Sequence, residues 1–471
     1  MIEIIQSVGA FLSDYILVTL LLIAAVYFTI TTRGVQFRMI GQMCRLLVSS
    51  GRRVTDVNDH TDSHHTISSF QAFAVSIASR VGTGNLAGVA SAIAIGGPGA
   101  VFWMWIIAIL GAATAFIEST LAQLYKVRGA KSFLGGPAYY ILNGIHCRWW
   151  AVTFAVLITL TFGLAFNSVQ AHTIADAFAT SFGLPTYATG IVLTILSIII
   201  ICGGIQSIAR FSQWVVPIMA IAYMIVAIVI ICINIKHIPG ILALIFDNAF
   251  GFDQAMGGTI GSAMIMGIKR GLFSNEAGEG STPNAAATAS VSHPVKQGLI
   301  QSLGVYTDTL LICTCTAFII LCSGVWVEGH DGIVLTQHAI DSQIGFVPGV
   351  GATFISVAIF FFAFTSIIAN YYYGETNLLF IRKSPVLILS YRLCVGAIVM
   401  IGSISSLDFV WGFADITMAL MTLCNLGAIA VLGKYAIICL RDYQFQLSKG
   451  YDPVYKASTI PEIAPHTTCW Y

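Results

Sequence analysis

The chain has 471 residues, 57% of them hydrophobic and only 9% charged, with a formal net charge of +1. A soluble protein of this size needs about a quarter of its residues charged to cover its surface, so a water-covered globule is excluded. The near-neutral balance gives no sign of nucleic-acid binding, and lipid is left as the covering.

Residues 1–14 contain Glu3 and Asp14 and no basic residue, so the positive start of a removable signal is missing. The run from Tyr15 to Thr32 approaches the roughly 20 apolar residues that a spanning helix needs. Similar stretches recur at about 70–95, 98–125, 149–178, 185–205, 213–235, 256–290, 298–325, 349–376, 386–402 and 408–432. The expectation is therefore an all-α integral membrane protein of about eleven transmembrane helices. The segment after the first span carries Arg33, Arg38, Arg45, Arg52 and Arg53. Every second loop after it is basic or neutral, with Lys126, Arg128 and Lys131, then Arg210, Lys296, Arg382 and Lys383, and finally Lys434 and Arg441. The alternate loops are poor in Lys and Arg apart from Lys236, and 326–348 has Glu328, Asp331 and Asp341 without a basic residue. Positive loops stay inside, which places the N-terminus outside and the C-terminus in the cytoplasm.

The hydrophilic stretch 54–69 holds three histidines and three aspartates. No ligand geometry is fixed there, and a solvated loop leading into a Ser/Thr helix cap is the expectation. Cysteines such as Cys202, Cys232, Cys313, Cys315, Cys394 and Cys424 lie in apolar runs without a C-x-x-C. They read as small buried residues of membrane helices. The tail after Gly433 is polar and aromatic, without recognisable chemistry.

Two spans break the rule that a helix in hydrocarbon satisfies its own backbone. The second reads SIASRVGTGNLAGVA (76–90), with Gly82 and Gly84 after Arg80. The seventh reads GIKRGLFSNEAGEGSTPNAAATA (267–289), with Gly271, Gly278 and Gly280 around Asn275, Glu276 and Glu279. They lie five spans apart, and an odd interval gives the second unit the opposite topology. Paired interrupted helices in two inverted halves point to a carrier's binding site near the midplane. Unwinding exposes amides that favour an anion and carbonyl oxygens that suit a hard cation. A phosphate loop would need G-x-x-x-x-G-K-[ST], which is absent. Gly88, Gly96, Gly97, Gly111 and Gly163 read as sites of close helix packing. Packing does not account for an Asn and two glutamates at mid-membrane, and Arg80 is expected to be electrostatically linked to Glu276 or Glu279.

The stretch 267–289, with FGLAFNSVQAHTIADAF (162–178) and FAFTSIIANYYYGE (362–375), resembles the alanine/glycine:cation symporter family of the amino-acid/polyamine/cation superfamily. The resemblance runs along nearly the whole chain. It implies an inverted repeat of five plus five helices preceded by one extra helix. The division would be 1–65 for the extra helix and a basic cytoplasmic loop, 66–432 for the core (repeats at about 66–235 and 254–432), and 433–471 for a cytoplasmic tail. Val81-Gly82-Thr83-Gly84-Asn85 is similar to the V-G-x-G-N of the neurotransmitter:sodium symporters. That similarity implies a substrate carboxylate at Gly82, Thr83 and Gly84, and a sodium ion at the carbonyls of Ala78 and Val81 and the hydroxyls of Thr365 and Ser366. Phe273, Ser274, Asn275 and Gly278 would face the amino acid, with Gln170 beside them. Two positions depart from the family: many members have Trp where this chain has Asn370, and Asn where it has His172. Asn370 implies room for a larger or more polar substrate such as glutamine.

The implied function is a sodium-coupled symporter importing a small neutral amino acid through a bacterial or archaeal plasma (inner) membrane. It would use sodium as the coupling ion and no other cofactor. A proton-coupled carrier of the same fold and a channel are the alternatives. No catalytic constellation marks an enzyme.

Overall fold

Inside hydrocarbon every backbone N–H and C=O must find a partner within the protein, and a helix finds them within one segment. The computed structural model describes residue 9 and residues 11–49, 67–129, 132–251, 260–344 and 349–470. It is helical apart from a two-stranded ribbon, β1 (Val127–Arg128) against β2 (Phe133–Leu134). In chain order the principal helices begin with α1 (Leu12–Thr31), α2 (Ser69–Arg80), α3 (Gly84–Gly96) and α4 (Ala100–Leu124). Then come α5 (Arg148–Phe182), α6 (Thr186–Ile201), α7 (Gly204–Ile233) and α8 (Ile260–Asn275). The remainder are α9 (Thr282–Ala286), α10 (Pro294–Ser323), α11 (Val350–Ile381), α12 (Pro385–Ile404) and α13 (Leu407–Ser448).

Among the described residues, eight helices are long and apolar enough to cross a membrane: α1, α4, α5, α7, α10, α11, α12 and α13. Their outer faces are apolar and exposed, as at Ile218, Ile221 and Ile225 of α7, which is how a lipid-covered surface looks. The inside is mainly apolar too, with polar groups enclosed among the packed side chains. α4 packs along α10 and α8, α5 along α11 and α12, and polar side chains such as Arg80, Glu118 and Asp308 are enclosed.

The entry to α2 is capped as expected. Ser68 Oγ accepts from the Gln71 amide at 3.1 Å, and Gln71 Oε1 accepts from the Ser68 amide at 3.1 Å, a reciprocal capping box. The histidines and aspartates of 54–66 lie outside the described residues.

Some expectations change. A Cβ at Gly96 or Gly111 would stand 3.0 Å from Met266 or Ala277, and at Gly163 it would collide with Tyr391, so these three do serve close packing. Gly88 has ordinary clearance, and Gly97 (φ +74°) ends α3 in a left-handed turn. Cys202, Cys232 and Cys394 are exposed on outward helix faces, whereas Cys313 and Cys315 are buried. A thiol is apolar enough for lipid contact.

Helix α13 runs to Ser448, past the expected end of its apolar run, and the chain then folds back under the bundle. The Tyr455 amide donates to Ser292 O at 2.8 Å, and the Lys296 ammonium meets Asp452 at 2.6 Å. Trp470 Nε1 donates to Gln123 O at 3.1 Å, where α4 ends, and the Lys126 ammonium lies 4.8 Å from the Trp470 ring. Tyr455, Ile460, Ile463 and Trp470 are all buried. Trp470→Ala is expected to destabilise the protein by about 3 kcal/mol, the scale for truncating a packed Trp. Thermal unfolding in detergent measures it, and an unchanged midpoint would show that the tail adds nothing to the fold.

Candidate functional site

Both helix interruptions fall where the glycines place them. α2 ends at Arg80, Val81 turns extended (φ −79°, ψ 92°), and helix resumes at Gly84 with a π-helical turn to Gly88. α8 ends at Asn275, and Glu276 (φ +56°), Gly278 (φ +90°) and Gly280 (φ +83°) are left-handed before α9 begins. A non-glycine residue in that region is strained, and such strain clusters at functional sites. The breaks lie against each other: a Cβ at Gly84 would stand 3.0 Å from Ser274 Cα.

At the first break, the expected ion ligands converge in part. Ser366 Oγ donates to Ala78 O at 2.9 Å and reaches Val81 O at 3.5 Å. Thr365 is one residue away, but its hydroxyl donates to Phe362 O of its own helix at 2.8 Å. Gly82 must be glycine here, because a Cβ would collide with Ser366 Oγ and sit 2.8 Å from Gln170 Oε1. Two of the three amides expected to hold a carboxylate, those of Gly82 and Thr83, are bonded to side-chain oxygens. Gly82 N donates to Asn85 Oδ1 at 2.9 Å, and Thr83 N donates to Gln170 Oε1 at 3.0 Å, with the Thr83 hydroxyl on the same oxygen at 2.7 Å. Gln170 thus lies against the first break, with its amide oxygen as the acceptor.

The second break is tied down by a residue that was not anticipated. Glu118 of α4 accepts from Gly278 N at 3.2 Å and Gly280 N at 3.1 Å. Asn425 of α13 donates to Glu118 Oε2 and to Gly278 O, both at 2.9 Å, and Tyr140 bonds Asn425 in turn. Gly278 is thus held by α4 and α13. Ser274 Oγ donates to Asp308 at 2.7 Å. Asn275 Oδ1 accepts from Ala277 N at 3.0 Å, while its buried Nδ2 has no hydrogen-bond partner among the described residues.

Arg80 forms no direct ion pair among the described residues. It donates to Thr282 Oγ1 at 2.9 Å and Gln301 O at 3.2 Å, and Thr282 in turn lies 3.4 Å from Glu276 Oε2. The expected link to Glu276 runs through that hydroxyl. Glu276 is held by Ser281 at 2.6 Å and Ser79 at 2.5 Å. Among the described residues, neither oxygen of buried Glu279 has a hydrogen-bond partner. Asn370 is buried, accepting from Ser79 at 2.8 Å and donating to Asn167 at 3.2 Å. His172 lies five residues along α5 from Asn167, with Nδ1 buried and without a hydrogen-bond partner among the described residues.

An aromatic plug closes one side. Phe273 lies between Phe166 (ring centroids 4.5 Å apart) and Trp411 (4.7 Å). The Arg270 guanidinium stands 3.8 Å over Trp411 and pairs with Asp415 at 3.3 Å. Lys269 bridges Asp415 at 3.1 Å and Asp14 of α1 at 2.7 Å. Glu118 and Asp308 were findable from the sequence by the rule already applied to Glu276, that ionisable groups inside a membrane are costly and kept for a purpose.

The site has two interrupted helices, freed amides and carbonyls held by side chains, and an aromatic side. Its fold is shared with the crystal structure of MhsT in complex with L-phenylalanine, at a TM-score of 0.58 and 14% identity over 81% of this chain and 97% of that one. In sequence, the chain is 50% identical to the amino-acid carrier protein AlsT of Bacillus subtilis (strain 168), over 95% of this chain and 92% of that protein. It is 49% identical to the probable sodium/glutamine symporter GlnT of the same organism, over 93% and 90%. The model of the sodium:alanine symporter family matches residues 1–457, and the chain belongs to that family.

Proposed function

We propose that this multi-pass membrane protein is a sodium-coupled symporter that brings a small neutral amino acid into the cell by alternating access. The observation that carries the reading is the first break, where Ser366 reaches two freed carbonyls while the Gly82 and Thr83 amides face side-chain oxygens. Cation ligands and anion ligands meet at one interruption, which is what a zwitterion and its coupling ion require together.

The amides explain how binding is selective. Asn85 and Gln170 satisfy them with neutral acceptors, so no N–H is stranded without substrate. A carboxylate makes charge-assisted bonds about twice as strong as neutral ones and displaces those oxygens. The released Gln170 Oε1 is then an acceptor for the ammonium a few ångströms away. Sodium at Ala78, Val81, Ser366 and Thr365 joins α2 to α11, so ion binding sets the shape of the break that receives the carboxylate. Thr365 takes part by turning its hydroxyl from Phe362 O. Phe273, Trp411 and Arg270 would close the outer side. The eleven spans in a five-plus-five inverted arrangement, with the N-terminus outside and a cytoplasmic tail, complete this reading. The loop charges and the shared fold support it.

Within the neutral class, Asn370 and the name carried by GlnT favour a polar substrate such as glutamine over alanine or glycine. The test is uptake of labelled amino acids into proteoliposomes with and without a sodium gradient. Uptake indifferent to sodium would defeat the reading in favour of proton coupling, and uptake that does not saturate would point to a channel.

Ser366→Ala is expected to raise the sodium half-saturation about tenfold, the effect of losing roughly 1.4 kcal/mol from one ligand, with the ranking of amino acids unchanged. Sodium titration of uptake measures it, and a wild-type value would displace the ion from this position. Asn370→Trp is expected to weaken transport of glutamine by about 1–3 kcal/mol, the range for overfilling a tight site, while alanine uptake persists. Competition among alanine, serine, asparagine and glutamine checks this, and an unchanged ranking would remove residue 370 from the pocket. Glu118→Gln puts an amide N–H against a glycine N–H, leaving a buried donor unsatisfied at about 1–3 kcal/mol. Uptake should fall roughly tenfold or more by that figure, and uptake at the wild-type rate would show that the second break holds without it.

A further inference from the structure

Far from both breaks, the basic end of the bundle gathers three arginines that no acid balances. α1 ends at Thr31, and two consecutive left-handed residues, Arg33 (φ +56°) and Gly34 (φ +66°), turn the chain sharply. A non-glycine residue held there is strained, which points to a function. The helical turn Val35–Arg38 follows, and Arg38 Nη1 donates to Arg33 O at 3.4 Å. Across from them α13 presents Arg441, and the three line one cavity of about 190 Å³ with Ile437, Leu440 and Gln444. Among the described residues, none of the three arginines forms an ion pair. Asp442, beside Arg441 in the chain, is taken by His293 at 3.2 Å and Gln446 at 2.9 Å.

Charge makes the two ends of this helix pair opposites. At the other end, Lys269 joins Asp14 of α1 (2.7 Å) to Asp415 of α13 (3.1 Å). At the basic end, guanidiniums from both sides line one hollow, and like charges repel unless an anion stands between them. The surroundings say where that anion comes from. Phe37, Ile40 and Val48 are exposed, interleaved with exposed Arg38 and Arg45. Helix Ile40–Ser49 is strongly amphipathic, the pattern of a segment lying in the headgroup layer. Tyr27 and Ile30 of α1 and Ile438 of α13, within two turns of the arginines, are exposed as well, so acyl chains have a surface to run along.

We propose that Arg33, Arg38 and Arg441 form a binding site for the phosphate of an anionic membrane phospholipid. Guanidinium forks match phosphate oxygens two at a time. The hollow takes the headgroup, and the acyl chains stay outside against the exposed apolar residues. Phosphatidylcholine is disfavoured, because its own ammonium would meet three like charges. With the N-terminus outside, the site lies in the cytoplasmic leaflet, where basic pockets between helices meet anionic lipid. The phosphate closes the α1–α13 pair at the end that Lys269 does not reach. α13 also carries Asn425, which holds Glu118 and Gly278, so the lipid anchors the helix behind the second break.

The site does not depend on which ion or amino acid is carried, so binding and not uptake is the readout. The full chain in neutral detergent is titrated with dioleoyl phosphatidylglycerol, dioleoyl phosphatidylcholine or inorganic phosphate while its unfolding midpoint is followed. Phosphatidylglycerol is expected to raise the midpoint, and the other two are not. Its half-saturating concentration should rise about fivefold for each arginine removed, in Arg441→Gln and again in Arg38→Gln with Arg441→Gln. Lys383→Gln removes the same charge from an exposed position after α11 and should leave that concentration at the wild-type value. An equal loss in Lys383→Gln would reduce the effect to net charge and overturn the site. An equal rise with phosphatidylcholine would overturn it too, and a rise with inorganic phosphate alone would make the groove a free-anion site and not a lipid site. If the glutamine variants do not fold, Arg441→Lys keeps the charge and loses the forked contact. It should still weaken phosphatidylglycerol binding, and unchanged binding would overturn the proposal.

Discussion

The structure depends on how a broken helix satisfies its backbone where water is scarce. Stopping a helix in mid-membrane frees amides and carbonyls that cost free energy unless something replaces the lost partners. Here side chains replace them. Glu118 takes the amides of Gly278 and Gly280, Asn85 and Gln170 take those of Gly82 and Thr83, and Ser366 reaches the carbonyls of Ala78 and Val81. All but Asn85, three residues from Gly82, reach from the break to another part of the chain. The interruptions are therefore also where the elements of the bundle are joined, and a ligand that competes for those partners acts on several elements at once.

The two breaks are not equivalent. At the second, the partner is a carboxylate reinforced by Asn425 and Tyr140, and the backbone is held in three left-handed residues. At the first, the partners of the amides are the neutral oxygens of an Asn and a Gln. One break is held by a charge and the other by neutral groups, and neutral hydrogen bonds are the weaker kind.

The breaks were readable because glycines and polar residues inside an apolar run have no other explanation. The cap at Ser68 was readable from spacing alone. The roles of Gly82, Gln170 and Ser366 came from likeness to known families, and the structure places those residues together. Partnerships across long separations were not readable. Glu118 stands alone in an apolar helix, 160 residues from the amides it holds, and no local pattern announces that pairing. Ser274 has the same limitation: its place beside Phe273 suggests that it faces substrate, but its hydroxyl bonds to an aspartate on another helix. The folded-back tail escaped because Tyr455 and Trp470 belong to no helical or strand period.

The contact between α1 and α8 has a consequence of its own. Lys269 is shared by Asp415 on α13 and Asp14 on α1, with its side chain mostly enclosed. A cation held by two acids on separate helices can pass from one to the other without ever standing alone. If α8 swings away from α13, the ammonium keeps its grip on α1 and never crosses a greasy surface unaccompanied. The outer helix is then a mooring post, and the moving helix stays tethered by charge while it lets go of its neighbour.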